Sequence, residues 1–169
     1  MPANEVKPYL KQMLDIDPEN DMARKQLLKY AVEENDHQRI VNICKPAVEY
    51  NADSPVFYFY MGVEYYLIDE KEKSMDALRS GLNRVENEMD EENRFKIRTH
   101  SYALLGDIYH QLGQDDKAFQ AYDSCLVYKK NDAMVLNNYA YYLSLNKKDL
   151  QRAEEMSRLS NELEPDNST

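Results

Sequence analysis

Glycine, proline and cysteine are all scarce in this chain, and each shortage closes off a class of protein. Four glycines and six prolines are spread over 169 residues. Val/Thr-rich runs are few as well, so helices are favoured over sheets. The two cysteines, Cys44 and Cys125, have neither CxxC nor metal-ligand spacing. Basic residues are outnumbered, 21 against 31 acidic, for a formal net charge of −10. That is the reverse of a nucleic-acid binder's basic footprint. No apolar run reaches the about 20 residues that cross a bilayer. The most apolar stretch, "FYFYMGVEYYL" at 57–67, runs straight into "IDEKEK". Neither a signal peptide nor a lipidation motif is visible.

What is present is a repeat. Three stretches, "YFYMGVEY" (58–65), "YALLGDIY" (102–109) and "LNNYAYYL" (136–143), read large-x-x-large-small-x-x-large. On a helix these positions share one face, with the small residue admitting a neighbouring helix between two large ones. A second helical segment follows each: "SMDALRSGL", "AFQAYDSCL" and "AEEMSRLSN", opening on Ser74, Ala118 and Ala153. Gly106 to Ala140 is 140 − 106 = 34 residues, and Leu28 to Gly62 and Pro18 to Ala52 are also 34. Gly62 to Gly106 is 44, one period plus an insertion that includes part of "ENEMDEENRFKI". Helix pairs at such a period indicate an all-α solenoid.

The pattern resembles the tetratricopeptide repeat family, whose period is 34. Tyr102, Leu105, Gly106, Tyr109, the turn glycine Gly113, Ala118 and Tyr122 fit it best. The next repeat offers Leu136, Tyr139, Ala140, Leu143, Ala153 and Pro165, with one extra residue in its turn. The resemblance implies an α-solenoid with a right-handed superhelical curve. A single array would cover 1–169: a partial repeat at 3–19, then repeats at 20–53, 54–90 with the insertion following, 91–131 with a lengthened first helix, and 132–166. Pro46 falls inside a second helix and is expected to kink it. Glu86–Asn93 is rich in helix formers and is expected to lengthen the flanking helices. Gly106 is expected to reject large side chains yet accept alanine, as at Ala140. The chain begins in a repeat remnant and stops where another first helix would start. The expectation is therefore a piece of a longer, bacterial-type protein, exported and lipid-anchored, with a cytoplasmic one as the alternative.

No phosphate-cradling loop, HExxH or nucleophile motif is present, so no enzyme activity, cofactor or metal is expected. An all-α enzyme domain is the competing reading of another class. His100 and His110 lie about 15 Å apart along one helix, too far to share a metal. Asp107 and His110, at i, i+3, read as a surface ion pair or an acid–base couple. Cys44 and Cys125 fall on inward-facing positions two repeats apart and read as buried small hydrophobes. The terminal "NST" matches a glycosylation sequon, a tripeptide that recurs by chance.

The resemblance also implies a concave groove, lined by first helices, that binds a peptide or partner helix. Projected onto it are Met22, Lys25, Lys29 and Val32; then Phe59, Val63 and Tyr66; then His100, Ala103, Asp107 and His110; and finally Asn137, Asn138 and Tyr141. Such a surface suits a protein partner with one or two apolar anchors and, facing Lys25 and Lys29, an acidic flank. The Lys/Asn/Arg clamp of co-chaperone members is incomplete, since Lys29, Tyr60, His100 and Leu104 replace its other residues. The implied function is a protein-interaction scaffold or adaptor. The alternative is a spacer with no ligand of its own, its Phe59 and Tyr66 packed against a neighbouring helix.

Overall fold

A computed structural model describes residues 2–165. The "NST" tripeptide at 167–169 lies outside them. The described residues form nine α-helices and no strand: α1 (Ala3–Ile16), α2 (Asp21–Glu33), α3 (His37–Tyr50), α4 (Pro55–Leu67), α5 (Lys71–Asn83), α6 (Glu91–Gln111), α7 (Asp115–Tyr128), α8 (Ala133–Leu145) and α9 (Leu150–Leu163). The fold is all-α, built from helix pairs. The chain divides into two compact units, residues 1–97 and 98–169. In the first unit α1 to α5 pack each on the next, and in the second α7 packs on α8 and α8 on α9.

Local chemistry marks where several of the helices start. The side chains of Asn20, Asp36, Asp132 and Asp149 accept hydrogen bonds from the backbone N–H of Ala23, Arg39, Val135 and Arg152 at 2.9–3.2 Å. Each satisfies a donor that has no partner inside the helix. Pro55 opens α4 at a position where its missing N–H removes nothing.

The turns within the pairs follow a single design. The second residue after each first helix is left-handed: Asn35 (φ 52°), Asp69 (φ 63°), Gly113 (φ 72°) and Lys147 (φ 52°). The next N–H then reaches back to close the helix, from Asp36 to the carbonyl of Ala31 at 2.9 Å and from Gln114 to that of Tyr109 at 2.8 Å. Glu70 to Tyr65 and Lys148 to Leu143 repeat this bond at 2.9 and 3.0 Å. Such a cap satisfies orphan carbonyls and reverses the chain into the second helix.

Within each pair, size is traded between facing positions 16 residues apart. Leu28 stands against Cys44 in sequence register, Gly62 against Leu78, Gly106 against Tyr122, and Ala140 against Met156. All eight are buried. A Cβ added at Gly62 would fall 2.7 Å from Cγ of Leu78, and one at Gly106 would fall 2.6 Å from Cδ1 of Tyr122. The small member lets the backbones close and the large member fills the gap. Both cysteine thiols are buried and free, and desolvation pushes each pKa up to about 12. The Cys125 thiol donates to the carbonyl of Thr99 at 3.3 Å.

As expected, Pro46 lies inside a second helix, α3, which runs from His37 to Tyr50. The hydrogen bond that proline removes would have ended on Asn42, an exposed residue whose carbonyl water can satisfy. The segment 86–93 lengthens one flanking helix only. α5 stops at Asn83 and a 3-10 turn follows at Val85–Asn87. Arg84 Nε bonds to the carbonyl of Ala52 at 2.7 Å, Asn87 Nδ2 bonds to that of Asp53 at 3.0 Å, and Val85 is buried. These anchors turn the chain away from the α5 axis. Asp90 then accepts from the N–H of Asn93 at 2.8 Å and starts α6, which runs for 21 residues.

Candidate partner-binding groove

In residues 1–97, α2, α4 and the first turns of α6 enclose a groove of about 730 Å³. Its apolar lining comes from Met22, Leu28 and Val32 of α2 and from Val56 and Tyr60 of α4. Met22 is 70% exposed, an apolar side chain presented to solvent at the mouth. The wall opposite is the α6 extension, through Asp90, Glu92, Asn93 and Lys96. Lys96 donates to the Tyr60 hydroxyl at 2.8 Å and its ammonium lies 5.2 Å from that ring's centre, which braces the wall against α4.

Lys25 and Lys29 both line the groove. Lys25 is 2.8 Å from Asp21 and 3.7 Å from Glu88, and Lys29 is 4.0 Å from Glu33. Phe59 presents no surface to a ligand, being 2% exposed. The register of α4 is set by its contact with α5. Gly62 faces Leu78, and the place of a Cβ at Gly81 lies 3.2 Å from the carbonyl oxygen of Pro55 and 3.4 Å from Phe59 N. That turns Phe59 into the packing and Tyr60 toward α2. Val63 and Tyr66 are half-buried on α4, outside the groove lining. A helix apolar nearly all round gives no sequence signal for which ring faces out. Its one acid, Glu64, is buried and sits 3.0 Å from Nδ1 of His37.

In residues 98–169, α6 and α8 bring Asp107 and Asn138 together. Asp107 accepts from the Tyr122 hydroxyl and, at 3.4 Å, from Asn138 Nδ2. The pairing of Asp107 with His110 does not form. His110 Nδ1 lies 2.8 Å from Asp115 Oδ1 instead, and its ring stacks on Tyr142 with centres 3.5 Å apart. The buried Tyr122 ring draws the Asp107 carboxylate inward, while the turn at Gly113 brings Asp115 back to the histidine. Ala103 is buried, whereas His100, Asn137 and Tyr141 are exposed, Tyr141 by 59%. Among the described residues no cluster of three or more His, Cys, Asp or Glu is placed to hold a metal ion, and no helix is long and apolar enough to cross a membrane.

Desolvation raises the Asp107 pKa above its ordinary 3.8, against the opposing hydrogen bonds from Tyr122 and Asn138 and the charge of His110. The folded state therefore holds the proton more tightly than the unfolded chain. The stability this group contributes is greatest in acid and falls as pH rises from 3.8 through the raised value. Asp107→Asn keeps an acceptor for the Tyr122 hydroxyl and removes the desolvated charge. It should match or exceed the parent in urea stability at neutral pH, with the advantage shrinking as the pH falls through the raised value to 3.8 and levelling below it. A variant that gains on the parent as the pH falls would contradict this assignment.

Stacked helix pairs with left-handed turns, a 34-residue period and small-for-large exchange within the pair define a helical-repeat protein. Residues 99–132 match the tetratricopeptide repeat family, and the described residues have the fold of tetratricopeptide-repeat proteins. The crystal structure of MamA superposes with a TM-score of 0.74 at 21% identity, over 94% of this chain and 86% of that one. MamA residues 41 to end from Desulfovibrio magneticus RS-1 give 0.71 at 16%, over 98% and 88%. Pseudomonas aeruginosa pilF gives 0.71 at 16%, over 94% and 68%. None of the curated proteins compared matches significantly.

Proposed function

We propose that the chain is a scaffold or adaptor segment that holds a peptide or partner helix in the groove of α2, α4 and the α6 extension. The observation that carries this reading is the groove itself. Its apolar floor is open to solvent at Met22, and its wall is a helical extension outside the 34-residue repeat. Apolar anchors entering such a floor supply most of the affinity of a recognition surface, and the charged rim sets orientation and association rate. Val63 and Tyr66 on α4 are assigned supporting contacts beside the groove; His100, Asp107, His110, Asn137, Asn138 and Tyr141 are proposed as a separate partner-contacting surface of residues 98–169. Catalysis, cofactor and metal have no part in the proposal.

The test is retention of a partner by the immobilised chain, compared with Met22→Asp. Met22 is exposed, so the variant should melt like the parent. It should lose partner affinity by about tenfold or more, because a charge would enter an apolar floor. Undiminished retention would move the site elsewhere or leave the chain a spacer.

A further inference from the structure

The groove also specifies the charge of its occupant. We propose that the bound segment carries lysine or arginine beside its apolar anchors, received by an acidic edge at residues 88–92; this rests on the groove being the binding site. The three groove lysines are already engaged within the chain. Lys25 pairs with Asp21 at 2.8 Å, Lys29 with Glu33 at 4.0 Å, and Lys96 with the hydroxyl and ring of Tyr60. An acidic flank on the partner would have to break those contacts.

Two carboxylates at the edge, Glu92 and Asp90, are not so engaged. Glu92 lines the groove, is exposed, and has no ion pair among the described residues. Asp90 also lines it and accepts only a backbone bond, from Asn93. Behind them Glu88 is 4% exposed, and its Oε2 accepts no hydrogen bond among the described residues. The nearest cation is the groove-lining Lys25, 3.7 Å from that oxygen and beyond hydrogen-bond reach. That buried charge, only partly offset by Lys25, adds to the negative potential behind Asp90 and Glu92, where an incoming ammonium or guanidinium would be received. An incoming carboxylate would instead meet like charge at Glu92, Asp90 and Glu88.

The experiment uses two fluorescein-labelled peptides, each a pair of leucines at helical spacing. One is flanked by lysines, the other by glutamates in the same places. Anisotropy at low salt should show the lysine peptide binding about tenfold tighter or more, with the gap narrowing in high salt. Amide NMR shifts should fall on residues 21–33 and 88–96. Glu92→Lys should narrow the preference, while the same reversal at Glu72, exposed on α5, should leave it in place. Equal binding, or tighter binding of the glutamate peptide, with shifts still in the groove overturns the charge assignment and leaves the groove standing. Equal narrowing by Glu72→Lys attributes the preference to overall charge and overturns the acidic edge. An absence of groove shifts with either peptide, or sedimentation as a dimer that shields the groove, overturns both readings.

Discussion

Gly106→Ala should destabilise residues 98–169 by about 1–3 kcal/mol, and Gly106→Leu by more. The expectation from sequence was that alanine would be accepted, because Ala140 holds the equivalent place one period later. The structure overturns it. A Cβ at Gly106 would lie 2.6 Å from Cδ1 and 2.8 Å from Cζ of Tyr122. That ring is fully buried, lies tilted against Tyr139 with centres 5.6 Å apart, and is tied to Asp107 through its hydroxyl. It has no room to yield. At Ala140 the facing position belongs to Met156, an unbranched side chain that adapts. The double variant Gly106→Ala/Tyr122→Met should therefore be more stable than the two single losses add up to, by about 1 kcal/mol. Urea unfolding of the four chains measures this. An alanine variant as stable as the parent, or strict additivity, would show that the 106–122 contact does not govern the pair.

The second large effect is expected at Arg24. Its guanidinium is 5% exposed and holds three segments of residues 1–97 together. Nε donates to Asn51 Oδ1 at 2.6 Å, and one terminal nitrogen donates to the Pro18 carbonyl at 2.8 Å and the other to the Ile43 carbonyl at 3.4 Å. Asn51 is itself buried and passes the connection on to the Glu19 carbonyl at 3.0 Å. Arg24→Met keeps the volume and leaves those acceptors without a donor, which costs about 2–4 kcal/mol. Arg24→Lys should recover only part, since an ammonium cannot span the same three acceptors. Urea midpoints settle the point, and a methionine variant within about 0.5 kcal/mol of the parent would sink it.

The helix pairs were legible because small residues recur at one period among large ones, a signal that survives at Gly62, Gly106 and Ala140. Of the left-handed turn residues, only Gly113 was legible as one. Asn35, Asp69 and Lys147 adopt the same left-handed conformation, at a steric penalty that the closing hydrogen bonds offset, and such residues are common elsewhere. The start of α6 was written as Asp90-Glu91-Glu92, a cap followed by an acidic first turn, but it was submerged in an acid-rich run. The same run hid Glu88, whose burial follows from the anchors of the 3-10 turn rather than from its own chemistry. Phe59 and Tyr60 could not be told apart, because an apolar helix has no preferred face until its neighbours are placed. Lys25 and Lys29 read from sequence as a basic rim; both line the groove, with Asp21 and Glu33, one helical turn away, at 2.8 and 4.0 Å.

The central claim is that a partner occupies the groove of α2, α4 and the α6 extension. It is tested most directly by placing a photo-crosslinking amino acid at Met22 and, separately, at Val127, which is 71% exposed on α7. With the partner recovered by the immobilised chain, the account predicts strong crosslinking from position 22 and background from position 127. Equal crosslinking from both, or crosslinking from 127 alone, would contradict it.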